Sequence, residues 1–220
     1  MIEERQLTSI ENETVPLPYV RTIQTQAGIL FLRNHCPACL VESLEIDDGM
    51  RAFARRPERE HQLLVGIAKR EDSTLTLAYT PSGKIVGQVT IAPADAWWSG
   101  LEHVYEMAIE VTASWRQQGI ARQLLAFAAE QEELENRILL AMGLSWHWDT
   151  EGLGLSSIHY RELIARLFAS LGFVEYLTSE PNIRMDPANV FLARMGRNVD
   201  LQTINAFFNR LLASPTFPGM

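Results

Sequence analysis

Apolar positions recur with two different periods along this chain, and the switches between them divide it into elements. Residues 1–25 are mostly polar and carry Pro16 and Pro18, so an irregular or flexible arm is expected there. The short apolar run 27–33 reads as a strand. Residues 47–70 carry a helical pattern, with Leu63, Leu64, Ile67 and Ala68 on one stripe and Pro57 suited to a first helical position. Strict alternation over 74–80, turn chemistry at Pro81-Ser82-Gly83-Lys84 and a returning run over 85–92 predict a hairpin. A loop with Trp97 and Trp98 follows, then a strand over 104–111. Tyr105, Met107, Ile109 and Val111 share one face of that strand; Glu106, Ala108 and Glu110 share the other.

A helix begins after Gly119 and buries Ile120, Leu124, Phe127 and Ala128. Residues 138–144 form the next strand, ending in Ser145-Trp146-His147-Trp148-Asp149. Ser156 or Ser157 caps a helix whose stripe is Leu163, Ile164, Leu167, Phe168 and Leu171, and Gly172 stops it. A hairpin is expected from 173–178 and 190–195, then a last helix capped by Asp200. The order predicts an α+β domain over 26–220, a mostly antiparallel sheet with helices between some strands. No repeat or low-complexity linker divides it.

The loop between residues 111 and 120 changes this picture from fold to chemistry. A helix N-terminus carries unsatisfied N–H groups and about half a positive charge. Gly119 permits a tight turn and the close approach of a phosphate. Arg116 and Arg122 flank the positive end, while Glu130, Glu132, Glu133 and Glu135 crowd the negative end, an arrangement that makes sense if an anion is brought to the N-terminus. Gly-Lys-Ser/Thr does not follow the loop, and G-x-G-x-x-G is absent, which argues against nucleotide P-loops and dinucleotide fingerprints.

Composition narrows the class further. Of 220 residues, 47% are hydrophobic and 21% charged, and the net charge is -8. No apolar run approaches the roughly 20 residues of a membrane span, and no signal pattern opens the chain, so a cytoplasmic protein is expected. The acidic balance argues against a nucleic-acid partner. Arg51, Arg55, Arg56 and Arg59 read either as a solvated face or as a contact for phosphate or an acidic partner. The two cysteines, Cys36 and Cys39, could be incidental thiols, a redox pair or half of a zinc site. A zinc site lacks two further ligands, so no metal is expected.

Ile109-Glu110-Val111, Arg116-x-x-Gly119-x-Ala121 and Leu124-Leu125 resemble the acetyl-CoA motif of the GNAT N-acetyltransferases. Leu167-Phe168-x-x-Leu171-Gly172-Phe173 resembles that family's second motif. Phe53-Ala54-Arg55-Arg56-Pro57, Trp146-His147-Trp148-Asp149, Glu180-Pro181 and the segment 193–199 resemble, more narrowly, the bacterial acetoin-utilisation acetyltransferases of the AcuA type. The resemblance implies a GNAT-like mixed sheet and acetyl-CoA as cosubstrate. It implies a lysine of acetyl-CoA synthetase as acceptor, switched off by acetylation. It also implies that backbone groups of Ile109 and Val111 hold the pantetheine arm. Arg116, Gln118, Gly119, Ile120, Ala121 and Arg122 would then form the pyrophosphate site.

Transfer to lysine requires a neutral amine, and an exposed lysine has a pKa of about 10.4, so a base must help. The resemblance favours Glu106 for that role, with Glu110, on the same face, second. Two close carboxylates can raise one another's pKa into a useful range. A strand N–H near Val111 is expected to stabilise the oxyanion. The tyrosine that many relatives use as acid is Phe168 here; Tyr160 and His159 lie earlier on that helix. His147, Trp148 and Asp149 are candidates for acceptor binding, His147 also reading as an aromatic packing residue. A small-amine acetyltransferase and a non-catalytic acyl-CoA-binding regulator stay open as alternatives. So does the choice between monomer and homodimer.

Overall fold

The computed structural model describes residues 19–94 and 96–214. Its centre is a nine-stranded sheet, made of β1 (Val20–Thr25), β2 (Gly28–Arg33), β3 (Glu45–Ile46), β4 (Thr74–Tyr79), β5 (Lys84–Pro93), β6 (Val104–Val111), β7 (Ile138–Gly143), β8 (Val174–Glu175) and β9 (Val190–Met195). The spatial order is β1-β2-β4-β5-β6-β7-β9-β8, with β3 beside β5. Every pairing is antiparallel except β3 with β5 and β6 with β7. The β6–β7 pair is parallel because a helix, α3 (Ile120–Ala128), crosses between them.

Three apolar clusters hold helices to this sheet. Met107 and Val111 on one face of β6 pack with Leu124 of α3 and with Phe168 of α5 (Ser157–Ala169). Val104, from the other face, packs with Phe207 of α7 (Leu201–Leu211), where Trp98 and Phe191 stack on the Phe207 ring. Val41 of α1 (Ala38–Ser43) and Leu64 of α2 (Pro57–Ala68) cover Leu75, Leu77 and Ile85. The expected caps hold: Ser156 accepts from His159 N–H, and Asp200 from Thr203 N–H at 2.9 Å.

The structure corrects three local expectations. The arm expected over 1–25 gives way by Val20 to a strand, β1, paired with β2 from Val20/Arg33 to Thr25/Gly28; residues 1–18 lie outside the described residues. The helix expected over 47–70 begins at Pro57, because Arg56 is extended (φ -140°, ψ 133°), the conformation that a following proline favours. The strand expected over 173–178 is confined to Val174–Glu175.

Two of the distinctive segments serve the architecture. Glu180, buried, caps the short helix α6 (Pro181–Arg184) through the Ile183 N–H at 2.7 Å, and Pro181 fills its first turn. The segment 193–199 closes onto the turn after α3. Glu135 pairs there with Arg194 and accepts from the Arg197 N–H at 3.0 Å, and these donors hold its carboxyl down at about 2. A Cβ on Gly196 would lie 2.3 Å from the Glu135 carbonyl oxygen and 2.8 Å from that of Arg137, both backbone atoms. Gly196→Ala is therefore expected to cost about 2–3 kcal/mol, read as a lower urea midpoint with unchanged slope.

Candidate active site

The site grows out of an interrupted strand pair. The register of β6 with β7 runs from Val104/Ile138 to Glu106/Leu140 and ends there, though β6 continues to Val111 and β7 to Gly143. Between the diverging ends lies a cleft of about 540 Å³, floored by Met107–Val111 on one side and residues 141–144 on the other. Which backbone groups face it follows from the ladder. Thr112 N–H donates to Val86 O and Ala94 N–H to Val104 O, both at 2.9 Å, so even-numbered residues of β6 bond toward β5. Ile138 N–H donates to His103 O at 2.8 Å, so odd-numbered residues bond toward β7. Beyond the Glu106/Leu140 pair, the Met107 C=O, both backbone groups of Ile109 and the Val111 N–H are thus turned into the opening, while the Val111 C=O is taken by Arg116. This is a row of directed donors and acceptors at the wall of an apolar cleft.

The N-terminus of α3 opens on the same cleft. Gly119 is its N-cap residue in the left-handed region (φ 72°), with no side-chain cap, and Gln117 is also left-handed (φ 61°). The first-turn amides of Ile120, Ala121 and Arg122 have no earlier helical carbonyl to bond. All three residues, with Gly119, line the cleft, and the Arg122 side chain is exposed there. Gln118 does not line it: its side-chain oxygen accepts from Ala27 N–H at 3.0 Å, tying the loop to the β1–β2 turn. Arg116 lines the cleft, but its guanidinium is engaged. Nε donates to Val111 O at 3.0 Å, and a terminal nitrogen donates to Asp149 at 2.5 Å.

Three of the four glutamates beyond α3 have partners in the fold. Glu130 pairs with Arg21, Glu133 with Arg137 and Glu135 with Arg194. Glu132–Asn136 forms a separate turn outside the helix. Their placement is explained by these pairs, and the case for an anion rests on the open amides alone.

Glu106 and Glu110 do share a face, since β6 runs against β5 without a bulge from Tyr105 to Val111. Both line the cleft. Glu106 is half-buried at the last paired position of β6 and β7. Glu110 is buried, and one carboxyl oxygen accepts the N–H groups of Arg51 and Ala52, each at 2.8 Å. Its other oxygen is buried without a hydrogen-bond partner. Burial, followed by the charge of nearby Glu60, raises the Glu110 carboxyl to about 7, against the pull of the two amides and of Arg116.

The aromatic segment after β7 has several jobs. His147 Nδ1 lies 2.6 Å from Ala52 O, and its ring packs between Phe53 and Trp146. Trp148 stacks on Tyr160 with centroids 5.1 Å apart and planes 9° apart. Gly143 makes room for it, since a Cβ there would sit 3.3 Å from the Trp148 ring. His147 and Trp148 line the cleft; Asp149 does not, and instead caps α4 (Thr150–Leu153) and holds Arg116. Phe168 is buried on the inner wall. Tyr160 brings a phenol into the cleft from α5, with burial raising its pKa, whereas His159 is occupied with the Ser156 cap.

The cysteines stand apart from this chemistry. Cys36 is buried, donates to Arg33 O and has its thiol pushed by burial to about 12; Cys39 is exposed, and both are free. A thiol so raised is a poor nucleophile. Among the described residues no group of three or more His, Cys, Asp or Glu could hold a metal, and no helix is long and apolar enough to cross a membrane.

Comparison with known proteins places this geometry. Residues 71–175 match the model of the acetyltransferase (GNAT) domain. The chain is 31% identical over 190 residues to the acetoin utilization protein AcuA of Bacillus subtilis (strain 168), covering 84% of this chain and 90% of that one. The crystal structure of an acetoin utilization protein from Exiguobacterium sibiricum 255-15 is similar at a TM-score of 0.84 and 31% identity, covering 88% of this chain and 93% of that chain. A GNAT superfamily phosphinothricin acetyltransferase from Sinorhizobium meliloti, solved in complex with AcCoA, gives 0.50 at 15% identity, covering 78% and 88%; this likeness is one of fold.

Proposed function

Because this chain belongs to the AcuA family of GNAT acetyltransferases, we propose that it acetylates a protein lysine, the catalytic lysine of acetyl-CoA synthetase, and so switches that enzyme off in acetoin utilisation. Its mixed, mostly antiparallel sheet flanked by helices is the GNAT fold. The residues present fit acetyl-CoA. The cleft wall offers the backbone groups of Ile109 and the N–H of Val111 to an amide-bearing arm, and the α3 amides of Ile120, Ala121 and Arg122 suit a pyrophosphate. Bound there, acetyl-CoA supplies an acetyl carbon that the amine nitrogen attacks as the bond to sulfur breaks.

In this reading the protein's own part is positioning and proton transfer. Glu110 takes the proton that the amine must lose, directly or through one water. The Val111 N–H, on the side of β6 turned toward the opening, would donate to the developing oxyanion. Arg116 is a strut in this scheme: joined to Val111 O and Asp149, it fixes the end of β6 relative to the segment after β7. Tyr160 is the hydroxyl on α5 available to protonate the departing thiolate. His147 and Trp148 form the wall past which the lysine enters.

The observation that carries the proposal is the Glu110 carboxyl, buried beside the open end of β6 and raised to about 7, near the value a base needs at neutral pH. Glu106, four positions upstream on the same face, is the second choice for the role. The test is incubation with acetyl-CoA and acetyl-CoA synthetase, followed by mass-spectrometric mapping and synthetase assay. The expected result is one acetyl-lysine and lost synthetase activity. An unmodified, fully active synthetase would overturn the acceptor assignment. Turnover of free amines in its place would point to a small-molecule acetyltransferase, and binding without turnover to a regulator.

A further inference from the structure

Glu60 is the most unusual charged residue outside the cleft. It lies on α2 with no solvent exposure at all. One of its carboxyl oxygens accepts the Ala54 N–H at 2.7 Å; the other, Oε1, is buried without a conventional donor. Glu110 presents the same pattern from β6, with Oε1 on the Arg51 and Ala52 amides and Oε2 orphaned. The two carboxyl groups therefore hold one stretch of chain, residues 51–54, by its backbone amides. Each has one leftover oxygen buried without a partner, and the charge of Glu60 acts on Glu110. Two carboxylates are both acceptors, so a hydrogen bond between them requires one proton.

We propose that Glu60 is a positioning residue for Glu110: the two carboxyl groups share one proton, so that Glu60 accepts a hydrogen bond from the proton that Glu110 takes up. The inference rests on Glu110 being the base. With both groups ionised, the pair carries two negative charges. The proton leaving the substrate ammonium goes to Glu110 and is held between the orphan oxygens, leaving the pair with one. Release of that proton to solvent restores the starting state. Glu60 thus favours the protonated form of Glu110 twice, by repulsion when it is absent and by a hydrogen bond when it is present. The surroundings are mixed. Arg116 reaches Glu110, His147 reaches Glu60, Tyr160 senses Glu110 from α5, and Glu106 lies upstream on β6. None of the cations is bonded to either orphan oxygen.

The test needs no acceptor. Protein carrying carboxyl-13C glutamate is titrated by NMR in the wild type, Glu60→Gln and Glu110→Gln. The amide keeps an oxygen for the Ala54 N–H, so the 51–54 clamp stays. The wild type is expected to show a glutamate step near 7. In Glu60→Gln that midpoint should fall by about one pH unit or more, with the acidic limb of the transferase pH profile moving alongside it. An unmoved midpoint, or lost activity with an unmoved limb, overturns the pairing and leaves Glu110 as base. A step near 7 that persists in Glu110→Gln overturns the base assignment itself. Should Glu60→Gln fail to fold, the wild type decides alone: a shared proton must move two glutamate carbons in the same step, and one moving carbon overturns the proposal.

Discussion

Glu110→Gln is expected to lose acetyl transfer by about 10²–10⁴-fold and, at pH 8, to be more stable than the parent. Both effects come from the same burial. The folded carboxyl titrates at about 7, against an ordinary value of 4.5. Between these values the native state holds a proton that the unfolded chain has released. Linkage then makes this group's contribution to stability fall as pH rises from 4.5 through 7, and its cost is complete above 7. At roughly 1.4 kcal/mol per pH unit, that cost reaches on the order of 3 kcal/mol. Glutamine carries no charge to desolvate. It retains an oxygen for the Arg51 and Ala52 amides, and its NH₂ can donate to Glu60. Urea unfolding at pH 5 and pH 8 separates the possibilities. The variant should gain about 1–3 kcal/mol at pH 8 and little at pH 5. An equal change at both pH values would mean that Glu110 is a structural clamp with no perturbed proton.

Stability given up at one carboxylate also explains what could be read from the sequence. The β6–α3 unit was legible because alternation, a glycine loop and a helical stripe follow one another without interruption, and each is a local signal. From that unit, the shared face of Glu106 and Glu110 follows by parity, and the ladder keeps it. What was not legible depends on distant partners. Glu60 sits in Pro57-Glu58-Arg59-Glu60-His61, which reads as solvated charge. Its burial becomes visible only when residues 51–54 fold across β6 some fifty positions later in the chain. Arg116 and Asp149 each suggested a ligand, and each is the other's partner. In Trp146-His147-Trp148-Asp149 the chemistry-bearing types are equally conspicuous, yet one caps a helix, one stacks on Tyr160 and one holds Ala52 O. β1 escaped because Val20–Thr25 is largely polar and exposed, as an edge strand can be, with only Ile23 joining the core.

The anion site rests on Gly119, and its substitution gives the second large effect. Gly119→Asp should weaken acetyl-CoA binding about 100-fold or more in calorimetry, about 2.7 kcal/mol, while leaving the fold intact. The space around this position is open: a Cβ would meet nothing nearer than the Gln123 side-chain nitrogen at 3.9 Å. The backbone is left-handed, φ 72°, which aspartate tolerates better than most residues. Strain there costs about 1–2 kcal/mol for an ordinary L-residue, so a folded protein is expected. What aspartate adds is a carboxylate at the helix N-terminus, where it can take the free amides of α3 for itself. The same amides are then denied to a pyrophosphate, and a like charge stands beside it. Gly119→Ala is the control, since it carries the strain without the charge and should lose much less affinity. Equal losses in the two variants would assign the effect to backbone geometry. An unchanged dissociation constant in Gly119→Asp would place the phosphates elsewhere, with the exposed Arg122 no longer their neighbour.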